Sequence, residues 1–269
     1  MADATVRPVW HAEFRDPRLV EVYDRECPWG PDDDYFLAQV DRVPGARVLD
    51  LGCGTGRLTL ALAQAGRTVR GVDPAPASLE AARAKPGAEQ ITWIEGTSAG
   101  LPDAAFDVAL MTSHVAQFFV ADDVWRATLA DLARALVPGG LLLFDARDPR
   151  DRAWKGWNPA DSRRRTALAD GRVVRSWTDV TAVDEDCSTV TFTHHNEMPE
   201  GDDLVSTASL RFRSEAELRG SLDVAGFRVE QLFGGWRRQP VGAGDGELLV
   251  VARRDAGSVR ASRASPGSP

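Results

Sequence analysis

The residues most suited to chemistry cluster in one nine-residue stretch, VLDLGCGTG, at positions 48–56. Gly52, Gly54 and Gly56 occupy alternate positions there, and glycine that dense weakens a regular element because it costs conformational entropy and offers no side chain to pack. Such a loop lets a ligand approach the backbone closely when a helix N-terminus with free N–H groups follows. Asp73 lies 21 residues beyond Gly52, the spacing at which a carboxylate accepts both hydroxyls of an adenosine ribose. The stretch therefore predicts a site for an adenosine-containing ligand.

Two nearby residues bear on which adenosine ligand is bound. Arg57 occupies the position where a dinucleotide loop, GxGxxG, requires glycine, and the P-loop ending GK[ST] is absent from the sequence. Asp50, two places before the first glycine, would repel a pyrophosphate and attract a cationic amino-acid group. S-adenosylmethionine carries a ribose, an ammonium and a sulfonium, and no phosphate. We therefore expect S-adenosylmethionine, and a nicotinamide dinucleotide is the weaker alternative.

Alternating periodicities predict the elements that must position these residues. In the first half of the chain, short apolar β-type runs alternate with Ala- and Leu-rich stretches of helical spacing. Strands that alternate with helices indicate βαβ units and a parallel sheet, and strands that are apolar on both faces indicate helices on both sides. The predicted strands are 46–51, 67–73, 90–95, 106–112 and 140–146, and the predicted helices are 57–66, 77–85 and 124–136.

The pattern changes after residue 146. Three extended segments separated by turn residues fit antiparallel strands better than another βαβ unit. Ser214, with Glu217 three residues later, predicts a capping box at the start of a helix over 214–226. The predicted extended segments are 172–183, 188–198 and 203–213, followed after the helix by closing strands at 227–236 and 246–254. The last residues, 255–269, lack apolar periodicity and are predicted to be disordered.

The composition limits the classes of function. The 269 residues carry a net charge of −8, which argues against a nucleic-acid partner because such proteins usually present a basic face. No apolar run approaches the ~20 residues of a membrane span, and the N-terminal segment lacks the pattern of a signal peptide. The three cysteines form no CxxC pair, so neither a zinc site nor a disulfide framework is indicated. We expect a cytoplasmic protein, a monomer or a homodimer, without membrane or nucleic-acid partners.

These motifs resemble those of the class I S-adenosylmethionine-dependent methyltransferases, in particular the small-molecule branch. VLDLGCGTG matches the family's glycine loop, and VDP at 72–74 matches the acidic end of its second strand. LP…FDVAL at 101–110 and LVPGGLLLFD at 136–145 match its fourth and fifth strand blocks, and the resemblance covers about residues 46–253. It implies an α/β, Rossmann-like fold with a seven-stranded, mostly parallel sheet and helices on both faces. The last strand of that sheet is antiparallel and lies between the fifth and the sixth.

The resemblance also implies how the chain is divided. Residues 1–45 would form a helical segment over the cofactor site, and 46–146 the S-adenosylmethionine-binding core. Residues 147–213 would form an antiparallel β-rich insertion after strand 5 that acts as a lid over the substrate, and 214–254 the C-terminal part of the core sheet.

The cofactor-binding residues follow from the same match. In relatives, a tyrosine of an N-terminal helix often folds over the cofactor, and an aspartate in a Gly-Asp-Ala sequence reads the adenine. Here Glu95-Gly96-Thr97-Ser98 stands at that place, so the Thr97 hydroxyl or a backbone group would have to contact the adenine. The residues expected to bind the cofactor are Tyr23, Asp50, Gly52, Cys53, Gly54, Gly56, Asp73, Pro74, Thr97, Ser98 and Ser113.

Position in the predicted elements indicates the candidate catalytic and acceptor residues. His114 follows the fourth predicted strand, at the mouth where open α/β sheets bind ligands, and its ring can act as a general base near its usual pKa of ~6.5. The alternative is that His114 only packs against the cofactor or caps a helix. The adjacent His194 and His195 point to opposite faces of a strand, so they cannot easily share a metal ion, and no metal is predicted. The residues expected to contact the acceptor are Trp29, Arg147, Trp154, His194 and His195.

The resulting hypothesis is transfer of a methyl group from S-adenosylmethionine to an O, N or C atom of a small organic acceptor. The [DNS]PP[YFW] motif of amino-DNA methyltransferases is replaced by TSHVAQFF at 112–119, which leaves a small acceptor by elimination. A domain that binds the cofactor without catalysis, as a sensor or a partner subunit, is the alternative from another class, and turnover distinguishes the two.

Overall fold

Two β-sheets organise the chain in the computed structural model, which describes residues 9–186 and 188–256. In chain order the strands are β1 (Val9–Trp10), β2 (Arg47–Leu51), β3 (Thr68–Asp73), β4 (Thr92–Glu95), β5 (Phe106–Met111), β6 (Leu136–Arg147), β7 (Arg164–Ala167), β8 (Val173–Asp184), β9 (Thr189–Glu197), β10 (Asp203–Arg211), β11 (Phe227–Phe233) and β12 (Glu247–Arg254). The α-helices are α1 (Ala12–Arg15), α2 (Pro17–Glu26), α3 (Pro31–Val40), α4 (Arg57–Gln64), α5 (Pro76–Arg83), α6 (Val115–Phe118), α7 (Asp122–Ala135) and α8 (Glu215–Val224).

The larger sheet has seven strands in the order β11-β12-β6-β5-β2-β3-β4. Strands β2 to β6 are mutually parallel, whereas β12 is antiparallel to both of its neighbours, β6 and β11. In chain order β6 is the fifth strand of this sheet and β11 the sixth, so the last strand lies between them. This topology confirms the Rossmann-like, mostly parallel sheet that the resemblance implies.

Helices cover both faces of this sheet because neighbouring residues of a strand point to opposite sides. In β2, Val48 packs in a core with Phe36 of α3 and with residues of α4. Leu49, the next residue, packs in a second core with Trp125 of α7 and with residues of α8. Val48 and Leu49 are both fully buried. The two cores explain why the parallel strands are apolar at nearly every position.

The strand order reverses at β2, which pairs with β3 on one side and with β5 on the other. The segments after β2 and β5 therefore leave the sheet toward opposite faces, α4 toward one core and α6 toward the other. This divergence opens a crevice at the carboxyl ends of the strands, the usual place for a ligand in an open α/β sheet. The glycine loop after β2 and the turn after β5 both lie there.

The second sheet has five strands in the order β1-β10-β9-β8-β7. Strands β7 to β10 form an antiparallel meander, which confirms the antiparallel insertion predicted after the fifth core strand. Strand β1 adds to its edge in parallel with β10, with Val9 opposite Ser206. The sequence analysis does not predict this pairing, because a two-residue strand carries no detectable periodicity.

Helices α1 and α2 lie between the two sheets. Leu19 and Val22 of α2 pack with Val174 of the second sheet. On the opposite side, the hydroxyl of Ser78 in α5 donates a hydrogen bond to the backbone oxygen of Phe14 in α1, at 3.0 Å. The N-terminal segment is therefore held by the core and by the second sheet together.

Several element boundaries differ from the predictions by a few residues, and the predicted cap of α8 agrees with the structure. Helix α7 ends at Ala135, and the VPGG stretch that follows begins β6, because Leu136 is fully buried and pairs with Phe106 ahead of a shift in register. The capping box of α8 is confirmed, since the Ser214 hydroxyl accepts the Glu217 N–H and the Glu217 carboxylate accepts the Ser214 N–H. The predicted disordered tail lies, from residue 257 onward, outside the described residues. Among the described residues, no helix is both long and apolar enough to cross a lipid bilayer.

Candidate active site

A cavity of about 310 Å³ opens at the carboxyl ends of β2 and β3, and we call it the cofactor cavity. All the predicted cofactor-binding residues except Gly56 line it. These residues come from the glycine loop, the ends of β2 and β3, the turns after β4 and β5, and helix α2. Their lining members are Tyr23, Asp50, Gly52, Cys53, Gly54, Asp73, Pro74, Thr97, Ser98 and Ser113.

The glycine loop has a backbone conformation that favours glycine. Gly52 has a φ of 78° and Gly54 a φ of 53°, both in the left-handed region. A Cβ on Gly52 would lie 2.6 Å from a methyl carbon of Val115, whereas a Cβ on Gly54 would meet no atom within 4 Å. At Gly56 a Cβ would lie 2.5 Å from the ring of Trp93. Gly54 therefore leaves open space for a ligand, and Gly56 serves the packing behind the loop.

Two carboxylates lie in the cavity wall. Asp73 accepts the backbone N–H groups of Gly54 and Ala75, each at 2.8 Å, which fixes its carboxylate beside the loop. Asp50 accepts the Thr59 hydroxyl through Oδ2 at 2.6 Å, and its Oδ1 is buried without a hydrogen-bond partner in the described part of the chain. Burial raises the pKa of Asp50 to about 6. An ammonium group would supply the hydrogen-bond donor that Asp50 Oδ1 lacks, so Asp50 fits the aminoacyl end of S-adenosylmethionine.

Thr97, Ser98 and Cys53 all line the cofactor cavity but differ in what their side chains contact. Thr97 lines the cavity at the start of a short 3-10 turn. The Ser98 hydroxyl instead donates to Asp131 of α7 at 2.8 Å, so its side chain is engaged away from the cavity. Cys53 packs its sulfur toward Gly71, where a Cβ would come within 2.9 Å of it, and burial raises the pKa of its thiol. Cys53 is therefore a packing residue rather than a nucleophile.

Aromatic rings from α1, α2 and α6, together with that of His11, form one wall of the cofactor cavity. Phe14 packs edge-on against Tyr23 with ring centroids 5.5 Å apart, and against Phe118 at 5.8 Å. The His11 ring lies 5.6 Å from that of Phe118. Of these rings the sequence analysis identifies only Tyr23, because no motif marks the other three. Such a cluster can stabilise a positively charged sulfonium through its ring faces.

A second cavity of about 510 Å³ lies between the core and the second sheet, and we call it the acceptor cavity. Its wall is formed by α1, α2, the turn after β5, the end of β6 and the inner face of β8 to β10. It shares part of its lining with the cofactor cavity. The shared residues are Phe14, Tyr23, Cys27, Arg57, Ser113 and Phe118.

The turn after β5 has an unusual backbone at the junction of the two cavities. Ser113 and His114 have φ values of 57° and 64°, two consecutive non-glycine residues in the left-handed region. Such conformations cost free energy and persist where the surroundings enforce them, often at functional sites. Here Asp145, fully buried at the end of β6, accepts the His114 backbone N–H at 2.9 Å and so holds the turn.

The ring of His114 lines the acceptor cavity and is held by two carboxylates. Its Nε2 lies 3.0 Å and 3.1 Å from the two Glu247 oxygens and 3.3 Å from Asp145 Oδ2. Because carboxylate oxygens surround Nε2, that nitrogen carries the ring proton and donates it, which leaves Nδ1 as the basic atom. Sequence reasoning misses both partners, since Glu247 is 133 positions from His114 and neither belongs to a motif.

The protonation states differ from the sequence-based expectation of an ordinary histidine pKa. Burial lowers the pKa of His114 to about 4, against the opposing effect of the nearby Asp145. Burial raises the pKa of Asp145 to about 6 and that of Glu247 to about 7. His114 is therefore neutral at pH 7, and its contact with Glu247 is a hydrogen bond rather than an ion pair.

The same three side chains could in principle hold a metal ion, because their ligand atoms lie within 4.8 Å of one another. The guanidinium of Arg147 lies close enough to both carboxylates to favour their ionised forms. It already supplies a positive charge at this place, and it is fixed there by a 3.0 Å hydrogen bond to Gln117. We therefore assign His114, Asp145 and Glu247 to a hydrogen-bonded cluster.

Arg57, which the sequence analysis uses only to exclude a dinucleotide, ties the N-terminal segment to the glycine loop. Its guanidinium bonds Asp32 and Asp33 of α3, each at 3.0 Å. It also donates to the backbone oxygens of Cys27 and Pro28 at 2.7 Å and 2.8 Å. The connection between α2 and α3 is thereby fastened across the rim shared by both cavities.

Only some of the predicted acceptor residues lie in the acceptor cavity. Arg147 and His194 line it. Trp29 is exposed and bonds Asp34, and Trp154 packs its ring on Phe212 at 4.6 Å. His195 stacks on Trp177 at 4.8 Å, on the face of β9 opposite His194, because side chains alternate along the strand. The structure places Trp29, Trp154 and His195 outside both cavities.

Comparisons with known proteins bear on this site. A family model described as a methyltransferase domain matches residues 48–140. The chain is similar to the cypemycin N-terminal methyltransferase of a Streptomyces species, with 30% identity over 218 residues, 78% of this chain and 84% of that protein. With other curated methyltransferases the chain spans about half of the relative's length, for example 53% and 52%.

Solved structures share the fold over most of the chain. The CcbJ methyltransferase from Streptomyces caelestis gives a TM-score of 0.70 at 23% identity, covering 88% of this chain and 96% of that chain. CalS10 with bound S-adenosylmethionine, an amino pentose methyltransferase from Micromonospora echinaspora, gives 0.62 at 21% identity, covering 87% and 94%. At these identities the likeness shows the fold.

Proposed function

The chain belongs to the class I S-adenosylmethionine-dependent methyltransferases, and on this premise we propose that it methylates a small organic acceptor bound in the acceptor cavity. The observation that carries the proposal is the shared wall of the two cavities, with Phe14, Tyr23, Ser113 and Phe118 lining both. A donor in one cavity and an acceptor in the other can meet there in line, without either leaving the protein. Holding two reactants in that geometry contributes ~7–11 kcal/mol to lowering the barrier.

The cofactor cavity offers a complementary group for each end of the donor. Asp73, already fixed by two N–H groups, is placed to accept ribose hydroxyls, and the unpartnered Asp50 oxygen to accept an ammonium. Thr97 and backbone groups around it are left for the adenine. When bound, S-adenosylmethionine supplies an activated methyl group on a sulfonium.

The remaining steps belong to the protein. The aromatic rings of α1, α2 and α6 exclude water from the shared wall and favour positive charge beside it. His114 accepts a proton from the acceptor through Nδ1, while Glu247 accepts Nε2–H and Asp145 holds the backbone N–H of His114. A general base is needed only where the acceptor atom starts protonated.

Two features support a small acceptor. The acceptor cavity, about 510 Å³, is the size of pockets that hold small molecules. Among the similar proteins, one is named for an amino pentose and one for the N terminus of cypemycin.

Cofactor titration by calorimetry tests the first half of the proposal. We expect S-adenosylmethionine and S-adenosylhomocysteine to bind and NADH not to bind; NADH binding in preference to both would contradict the assignment. Asp73→Asn, which removes the charge and one acceptor, should weaken S-adenosylhomocysteine binding about ten- to a hundredfold. Asp223→Asn, at an exposed position of α8, is the matched control. Unchanged affinity of Asp73→Asn would refute the ribose contact.

Turnover tests the second half. Formation of S-adenosylhomocysteine is measured with a panel of small amines, alcohols and carboxylic acids. Cofactor binding without turnover on any member would favour the non-catalytic sensor or partner subunit instead.

A further inference from the structure

The acceptor cavity has a polar end that the methyl transfer itself does not use, and we propose that this end binds a basic amine carried by the acceptor. The inference rests on the proposed function, because it names the substrate class of the same cavity. The polar end consists of Glu13 from α1, Glu26 from α2, and His194 and Asn196 from β9.

The two glutamates are anchored to the same face of the second sheet. Ser176, which lies opposite Asn196 in the sheet, donates its hydroxyl to Glu26 at 2.8 Å. On the other side of β9, the hydroxyl of Ser206 accepts the backbone N–H of Glu13 at 3.4 Å. Strand alternation thus places the backbone of Glu13 and the carboxylate of Glu26 against the same face of the second sheet, and both residues line the cavity.

These carboxylates have no cation of their own. In the described ranges, no arginine, lysine or histidine forms an ion pair with Glu13 or Glu26 within 4.0 Å. The two arginines that line the cavity are engaged elsewhere. Arg57 pairs with two aspartates of α3, and Arg147 bonds the side chain of Gln117. The polar end therefore lacks a cationic partner among the described residues, although Glu26 accepts the hydroxyls of Thr166 and Ser176.

Unpartnered atoms at this end are hydrogen-bond acceptors. The Oε2 atom of Glu13 and the Oδ1 atom of Asn196 are both buried and, over the described residues, have no hydrogen-bond partner. Asn196 is 1% exposed, so bulk solvent does not reach its side chain. Burial raises the pKa of Glu13 to about 7, which marks the cost of its uncompensated charge. An ammonium group offers three donors and one positive charge, and so matches both needs.

The rest of the cavity wall indicates the body of the molecule. Trp157 packs edge-on against Phe192 at 5.0 Å, and both line the cavity together with Phe14 and Leu210. These apolar surfaces suit a ring, aromatic or aliphatic, attached to the amine.

Benzylamine and benzyl alcohol, which differ in the amine, test the proposal on protein saturated with S-adenosylhomocysteine. Titration by calorimetry should show benzylamine binding about ten- to a hundredfold more tightly than benzyl alcohol. Glu13→Gln should remove most of this preference and change benzyl alcohol binding less than twofold. Glu80→Gln, at an exposed position of α5 outside both cavities, should leave the preference intact.

Equal binding of the two probes, no binding of benzylamine, or a preference that survives in Glu13→Gln would overturn the inference. The S-adenosylhomocysteine affinity of each variant shows that it is folded. If the protein without substitutions does not bind S-adenosylhomocysteine, that result counts against the proposed function and not against this inference.

Discussion

His114 combines three properties that are individually rare. Its backbone is left-handed, its Nε2 is held by two carboxylates, and its ring lines the acceptor cavity beside the shared wall. A merely structural turn residue would need only the first. The combination is typical of a side chain whose position is fixed for a purpose.

Replacing His114 with asparagine separates the role of its ring as a general base from the role of its backbone in the turn. Asparagine tolerates the left-handed conformation but cannot take a proton, so turnover should fall ~10²–10⁴-fold while S-adenosylhomocysteine affinity changes little. Initial rates with an acceptor from the panel, together with calorimetry, measure both. Ala104→Asn, at an exposed left-handed position outside the cavities, is the control. Retention of most of the rate would mean that the acceptor ionises unaided.

The raised pKa of Glu247 should make the free energy of unfolding depend on pH. Its pKa, raised by burial to about 7, exceeds that of an unfolded glutamate, so the folded protein takes up a proton that the unfolded chain does not. This stabilisation is present below the unfolded pKa and is lost as pH rises through about 7, an effect of ~3 kcal/mol. Glu247→Gln cannot lose that proton, so its melting temperature relative to the native protein should rise between pH 5 and 8.

The raised carboxyl groups of Glu13, Asp33, Asp50 and Asp73 are present in both proteins and cancel in this comparison. The charge of Glu247 also raises the pKa of Asp145, so the difference between the two profiles reports both groups. Glu89→Gln, on the surface, provides a reference profile. Parallel pH profiles of Glu247→Gln and the native protein would show that Glu247 is ionised in the fold without penalty.

At the scale of elements, the connection between α2 and α3 depends on one side chain. The planar guanidinium of Arg57 reaches two carboxylates and two carbonyl oxygens at once. A lysine ammonium at that position has the same charge but not the fork geometry. The N-terminal helices therefore depend on Arg57 for their closure over the cavities.

Arg57→Lys should loosen this connection without unfolding the core. We expect S-adenosylhomocysteine affinity to fall about tenfold, because losing roughly half of the charge-assisted bonds costs ~1.5 kcal/mol. Trypsin should also cleave faster after Arg25, at the end of α2. Arg42→Lys serves as the control, because the native Arg42 side chain donates to Gln39 of α3 at 3.0 Å and lies outside both cavities. Equal affinity and equal cleavage would show that the closure has other supports.

Much of the element pattern could be predicted from the sequence, because strands and helices of the core repeat with clear periods. The ends of β2 and β3 fall where the VLDL and VDP motifs place them, at Leu51 and Asp73. The acceptor side could not be predicted in the same way. Glu13 and Asn196 line the acceptor cavity, and Glu247 contacts His114, through contacts between distant parts of the chain that no local pattern marks.

At the scale of the whole molecule, the N-terminal segment joins the second sheet and also contacts the core. Strand β1 extends the second sheet, α1 and α2 line both cavities, and Ser78 fastens α1 to the core. The cofactor cavity is therefore lined by the core and by the N-terminal segment, and the second sheet helps to hold that segment in place.

The contacts of the N-terminal segment predict an order of events in folding. The hydrogen bond between Glu13 and Ser206 spans 193 positions of the chain, so the N-terminal segment cannot dock fully before β10 is in place. Contacts of such long sequence separation form late and slowly, after the local βαβ units have condensed. The aromatic wall is then the final part of the molecule to assemble. In a stopped-flow refolding experiment, S-adenosylhomocysteine should bind only in the slowest phase, well after the helical signal has recovered.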